Sequence, residues 1–117
     1  RQPMAKSPQT ISLPSKIKVG SFDVHLSSKE GLSDIAGDEG SYHASKQLIV
    51  LDETIVHHNN AYSCLLVWHE ICHVIYEQYA LKGLDEENHV NGFSQGIVQV
   101  LRDNPQFKKW MDLCLKN

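Results

Sequence analysis

Leu65-Leu66-Val67-Trp68-His69-Glu70-Ile71-Cys72-His73-Val74-Ile75-Tyr76 sets three polar side chains inside an otherwise apolar run. His69, Glu70 and His73 spell H-E-x-x-H. Four residues along a helix advance about 400°, so the two imidazoles point the same way with Cβ atoms roughly 6 Å apart. One cation can be gripped by both, while Glu70, turned by about 100°, reaches a water on that cation without ligating it. The pattern is short and recurs by chance, so its flanks decide. Leu65 and Leu66 precede it, Ile71 and Cys72 interrupt it, and Val74 and Ile75 follow, so both sides of the helix look buried. Two imidazoles and a carboxylate are costly there unless hydrogen-bonded, paired or metal-bound. Zn²⁺ supplies that compensation; the rival reading is a pair of core histidines satisfied by hydrogen bonds.

Working outward, the helix is expected to start at Asn59 or Asn60 as N-cap and to run to about Leu81, with Gly83 as its stop. Residues 54–60 read as the connection into it. Upstream, Tyr42-His43-Ala44, a Ser45-Lys46 turn and Gln47 to Leu51 predict a strand or hairpin ended by Asp52-Glu53. Ile17 and Val19, then Phe22, Val24 and Leu26, alternate with polar residues around Gly20-Ser21, predicting two strands joined by a tight turn. Ser27 to Gly40 reads as a loop with one helical turn at Leu32, Ile35 and Ala36. Pro3, Pro8 and Pro14 make residues 1–14 a flexible lead-in to one domain over 15–117.

Downstream, Asp85 caps a helix with Glu86 and Glu87 in its first turn and an apolar stripe of Val90, Phe93, Ile97 and Leu101. Asn104-Pro105 ends it and opens a last short helix, with Phe107, Trp110, Met111 and Leu115 facing inward. Strands first and helices after predict an α+β fold: a small antiparallel or mixed sheet, then the H-E-x-x-H helix, a helix for a third ligand and a short C-terminal helix.

The chain has 117 residues, enough for a single core, with 41% apolar and 21% charged residues and a net charge of −3. That balance, with no local Lys/Arg cluster, argues against nucleic acid. No apolar run approaches the roughly 20 residues of a membrane span. No secretory signal is visible at the N-terminus. Three cysteines without C-x-x-C pairing make no disulfide framework, and Cys64 and Cys72 are too far apart along the helix to bridge. A soluble protein in a reducing cytoplasm is expected. Cys72 reads as core packing.

A catalytic zinc takes three protein ligands, so a third must come from outside the first helix. Glu86, Glu87 and His89 are the candidates, because a helical hairpin through the short loop at Gly83 brings them alongside. Helical geometry favours either glutamate over His89 and does not separate the two. His69-Glu-Ile-Cys-His73 followed by Glu87-Asn-His-Val90-Asn91-Gly-Phe93-Ser94 resembles the ImmA/IrrE family of zinc metallopeptidases, whose second motif reads approximately E-x-x-A-[ND]-x-F-A. Val90 and Ser94 stand where that family prefers Ala. Gly96 to Pro105 resembles small members carried by phages or mobile elements, and the likeness covers about residues 41–105. It implies a minimal zincin-like domain, Zn²⁺ on His69, His73 and Glu87, and proteolysis of a specific protein such as a repressor or host regulator. It also implies that the strand near Leu48 to Leu51 lies beside the cleft.

In that chemistry Glu70 is the general base, and Tyr76, about 20° from the His69 direction, is a candidate oxyanion donor, though an aromatic there more often packs. His57 and His58 could line the cleft mouth but suit solvated surface as well. Asp52 or Glu53 could orient a histidine. A second function class is a zinc-containing, non-catalytic protein that uses a zincin scaffold to engage a host or regulatory partner.

Overall fold

The computed structural model of the chain describes residues 11–33 and 38–117. Residues 1–10 of the expected lead-in, and Ile35 and Ala36 of the expected helical turn, lie outside them. The fold is α+β, with a four-stranded mixed sheet and four helices.

Strand β1 (Lys16–Val19) turns at Gly20-Ser21 into the antiparallel β2 (Phe22–Lys29). Gly20 adopts φ +60°, the left-handed conformation such a two-residue turn requires. Strand β3 (Gly40–His43) and β4 (Leu48–Asp52) form a second antiparallel pair, with a 3₁₀ turn at Ala44–Lys46 between them. The sheet order is β1-β2-β4-β3. Strand β2 continues past its expected end at Leu26 because β4 lies parallel to it, matching Ser27 to Val50 and Lys29 to Asp52. The segment before β1 is irregular but docked: Leu13 packs on the core, and the Ser15 carbonyl accepts from Leu26 N–H at 2.8 Å.

Residues expected as a plain connection form a short helix, α1 (Glu53–His57), whose N-cap Asp52 accepts from Ile55 N–H. Helix α2 (Ala61–Gln78) starts at Asn60, which exchanges hydrogen bonds with Ser63 in a capping box. It buries Cys64, Val67, Ile71, Val74 and Ile75 against the sheet, whose inner face carries Ile17, Val19, Val24, Ile49 and Leu51. Each such aliphatic side chain contributes about 1.5–3 kcal/mol on burial. The helix ends before Leu81, and its stop is Ala80 rather than Gly83. Ala80 sits at φ +52°, its N–H bonds to the Glu77 carbonyl, and Leu81 N–H reaches back to the Tyr76 carbonyl. That is the Schellman arrangement with an alanine in the left-handed position.

Helix α3 (Glu86–Asp103) is capped by Asp85 as expected, and Phe93 and Ile97 of the expected stripe pack against the core, but Val90 does not. Val90 is 53% exposed, and the buried positions are Gly92, Gly96 and Val100. A Cβ on Gly96 would stand 2.8 Å from the buried Ile75 side chain, so close helix contact replaces a large apolar residue there. Helix α4 (Pro105–Lys116) buries Phe107, Trp110 and Cys114. Leu115 is 61% exposed, and Cys114 takes the inward place expected for it.

The sheet's β1 edge is closed by side-chain amides. Asn104 Oδ1 accepts from Lys18 N–H at 2.7 Å and its Nδ2 donates to Lys18 O at 2.8 Å, imitating a neighbouring strand. Gln99 does the same one step on, accepting from Gly20 N–H at 2.7 Å and donating to Lys18 O at 3.0 Å. At the other edge, β3 pairs on one side only among the described residues.

Candidate metal centre

Helix α2 carries the H-E-x-x-H residues in its middle, with Glu70 turned toward the sheet. Contrary to the expectation that both sides of the helix are buried, His69, His73 and Leu65 face solvent, so only Glu70 of the three bears a burial cost. The Nε2 atoms of His69 and His73 are 3.3 Å apart. A donor atom from each of these and from Glu70 lies within 4.8 Å of the other two. Glu70 is only 4% exposed, makes no hydrogen bond to another described residue, and lines the grooves on both sides of it. Two nitrogens bound at 2.0–2.1 Å to one tetrahedral Zn²⁺ stand about 3.3–3.4 Å apart, so the imidazole pair already has the spacing that ion requires. The only ring-nitrogen partner of either histidine among the described residues is the other one.

Edge strand β3 crosses this helix at Gly40. A Cβ there would meet Leu51 and Leu66 at 3.3 Å and Glu70 at 3.4 Å, so the glycine lets the strand lie close over the carboxylate. The strand beside the site is therefore β3; β4, expected there, is interior, between β2 and β3. Asp52 N–H bonds to Glu39 O at 2.7 Å, which makes the 39/52 pair hydrogen-bonded and, by alternation, leaves the backbone groups of Gly40 and Tyr42 directed to the open edge.

Two grooves meet at Glu70. One, of about 560 Å³, runs past Ser41, Tyr42, His73, Tyr76, Glu77 and Lys82. The Tyr42 hydroxyl donates to Glu77 at 3.1 Å, and burial together with that carboxylate pushes the phenol's pKa up to about 12. The other, of about 390 Å³, lies on the His69 side. Glu77 and Tyr42 escaped the sequence reading, although Glu77 stands seven residues from Glu70 and so nearly in line with it on the helix. Cys72 shares a shallow recess with His69, His73, Tyr76 and Phe93, outside the His-Glu-His cluster, and burial raises its thiol pKa.

The first turn of α3 does not join the cluster. Glu86 and Glu87 are exposed, whereas His89 is half-buried and packs its ring 6.0 Å from that of Tyr76. His89 Nδ1 lies 2.8 Å from the Asp85 carbonyl, which can only accept, so Nδ1 is the donor in that bond. Asp52 orients no histidine: its carboxylate accepts from Ser33 N–H, Ser33 Oγ and Ile55 N–H, and those bonds lower its pKa. His57 lines a separate cavity with Trp110 and Val56. No helix of the described residues is long and apolar enough to cross a membrane. No protein-family model, curated protein or solved structure matches the chain.

Proposed function

We propose that the chain is a zinc-dependent peptidase of the ImmA/IrrE type that hydrolyses a specific, regulatory protein. The observation that carries this reading is the convergence of two imidazole nitrogens 3.3 Å apart with Glu70, which is 4% exposed and has no hydrogen-bond partner among the described residues, at the meeting point of two grooves. His69 and His73 would hold the metal, with a third ligand from the start of α3: Glu87 by the family likeness, Glu86 or His89 as the other donors of that turn. Bound zinc supplies Lewis-acid polarisation of the scissile carbonyl and of water. Glu70 takes the proton from the attacking water and returns it to the leaving amine. Tyr76, 37% exposed in the same groove as His73, would donate to the developing oxyanion. The backbone groups of Gly40 and Tyr42 suit an extended peptide added along β3.

The second reading, a zinc-containing protein that binds a regulatory partner without cleaving it, is favoured by the separation of Glu86 and Glu87 from the cluster. Glu70→Gln distinguishes the two. The variant should keep its zinc, measured by elemental analysis, and lose at least about 100-fold in peptide hydrolysis. Undiminished biological effect with zinc retained would rule out proteolysis, and zinc content untouched by His69→Ala would rule out the metal centre.

A further inference from the structure

The groove on the His69 side of Glu70 combines two surfaces that one ligand chemistry satisfies together. Its wall is apolar: Leu65 is 64% exposed, Tyr62 is 51% exposed, and Leu66 lies beneath. Its rim carries the carboxylates of Asp38 and Glu39, and among the described residues no Lys or Arg lines it. The Tyr62 hydroxyl donates to Glu39, fixing that carboxylate at the rim. At its floor lies Glu70, nine-tenths buried and without a hydrogen-bond partner among the described residues. A wholly apolar ligand would strand the rim carboxylates, and a small hydrophilic one would leave Leu65 in water. A side chain with an aliphatic stem and a cationic head covers the leucines and reaches the carboxylates at once. The groove on the other side of Glu70 lacks this pattern, since it has no leucine wall and Lys82 lines it beside Glu77.

We propose that the site selects peptides carrying lysine or arginine, seated with its stem on Leu65 and Leu66 and its cation against Asp38 and Glu39. This specificity rests on the peptidase reading of the same site, yet its binding step can be read without turnover.

The test is an NMR titration of the full Glu70→Gln chain in zinc-containing buffer with acetyl-Ala-Ala-Lys-Ala-Ala-amide and its norleucine and glutamate counterparts. The lysine peptide should shift the amides of Gly40, Tyr62 and Leu65 and bind about 1.5–5-fold more tightly than the norleucine peptide, a ratio typical of exposed ion pairs, shrinking as salt is added. Asp38→Asn combined with Glu39→Gln should erase the difference while the rest of the spectrum stays in place. Equal binding of the three peptides, no binding, shifts confined to another surface, or a lysine preference that survives the double variant would each overturn the proposal. Hydrolysis by the zinc-loaded native chain is scored separately. Lysine preference without hydrolysis defeats the peptidase reading alone, and hydrolysis indifferent to lysine or arginine defeats the groove assignment alone.

Discussion

Replacing Ala80 by glycine should stabilise this protein, although glycine near a helix ordinarily weakens it. Ala80 occupies φ +52° at the end of α2, where it closes the Schellman pair of bonds to Glu77 and Tyr76. A side chain in the left-handed region costs about 1–2 kcal/mol. Glycine removes that strain but gives the unfolded chain extra freedom, which costs about 0.4–1 kcal/mol. The difference is a gain of about 0.5–1 kcal/mol, or about 2–5 °C in Tm for a chain of this size. Gly83 provides the mirror control. It sits at φ +76° with nothing within 4 Å of a notional Cβ, so Gly83→Ala introduces strain without a clash and should lose a similar amount. Thermal and urea unfolding of the two variants beside the native chain measures both signs. A neutral or destabilised Ala80→Gly, with Gly83→Ala destabilised as expected, would refute the reasoning at the α2 terminus. Ala80 also lines the groove that holds His73 and Tyr76, so the same variant shows whether that strain serves the site.

Asn104→Ala removes both bonds to the Lys18 backbone and one to the Val100 carbonyl. Solvent replaces part of these at the rim, leaving a loss of about 1–2 kcal/mol, readable by urea denaturation. The Tyr42 phenol, pushed up to about 12, favours its neutral form more strongly in the folded chain than unfolded. The stability it contributes is therefore fully present below pH 10, its ordinary value, and is lost as pH rises through about 12; Glu77→Gln should lower that titration when followed by ultraviolet absorbance.

What the sequence disclosed was governed by local chemistry. The Gly20-Ser21 turn, the Asn60 and Asp85 caps, the aliphatic run of β4 and the polar triad of α2 all act within a few residues, and each is found where it was expected. The misreadings share another origin. Thr54-Ile55-Val56 are poor helix formers, and α1 exists because Asp52, anchored by Ser33, caps it. On α3, counting large apolar residues pointed to Val90, whereas the contact with α2 uses Gly92 and Gly96, which carry no hydrophobic signal at all. Parallel pairing with β4 extends β2 through serines that have little strand preference of their own. At the candidate site, His69, Glu70 and His73 were legible because one helix holds all three. Gly40, Tyr42 and Glu77 depend on which strand lies at the edge, and no local pattern encodes strand order.

The amides of Gln99 and Asn104 have a consequence for solubility. A bare sheet edge is a template for joining another copy, and here one of two such edges is withdrawn from that use by residues at the far end of α3. A chain lacking both amides, as in Gln99→Ala combined with Asn104→Ala, would present β1 as a sticky border even if its core survived. The end of α3 and the asparagine that follows it thus act as a guard against self-association, leaving strand addition, among the described strands, to the border that runs past Glu70.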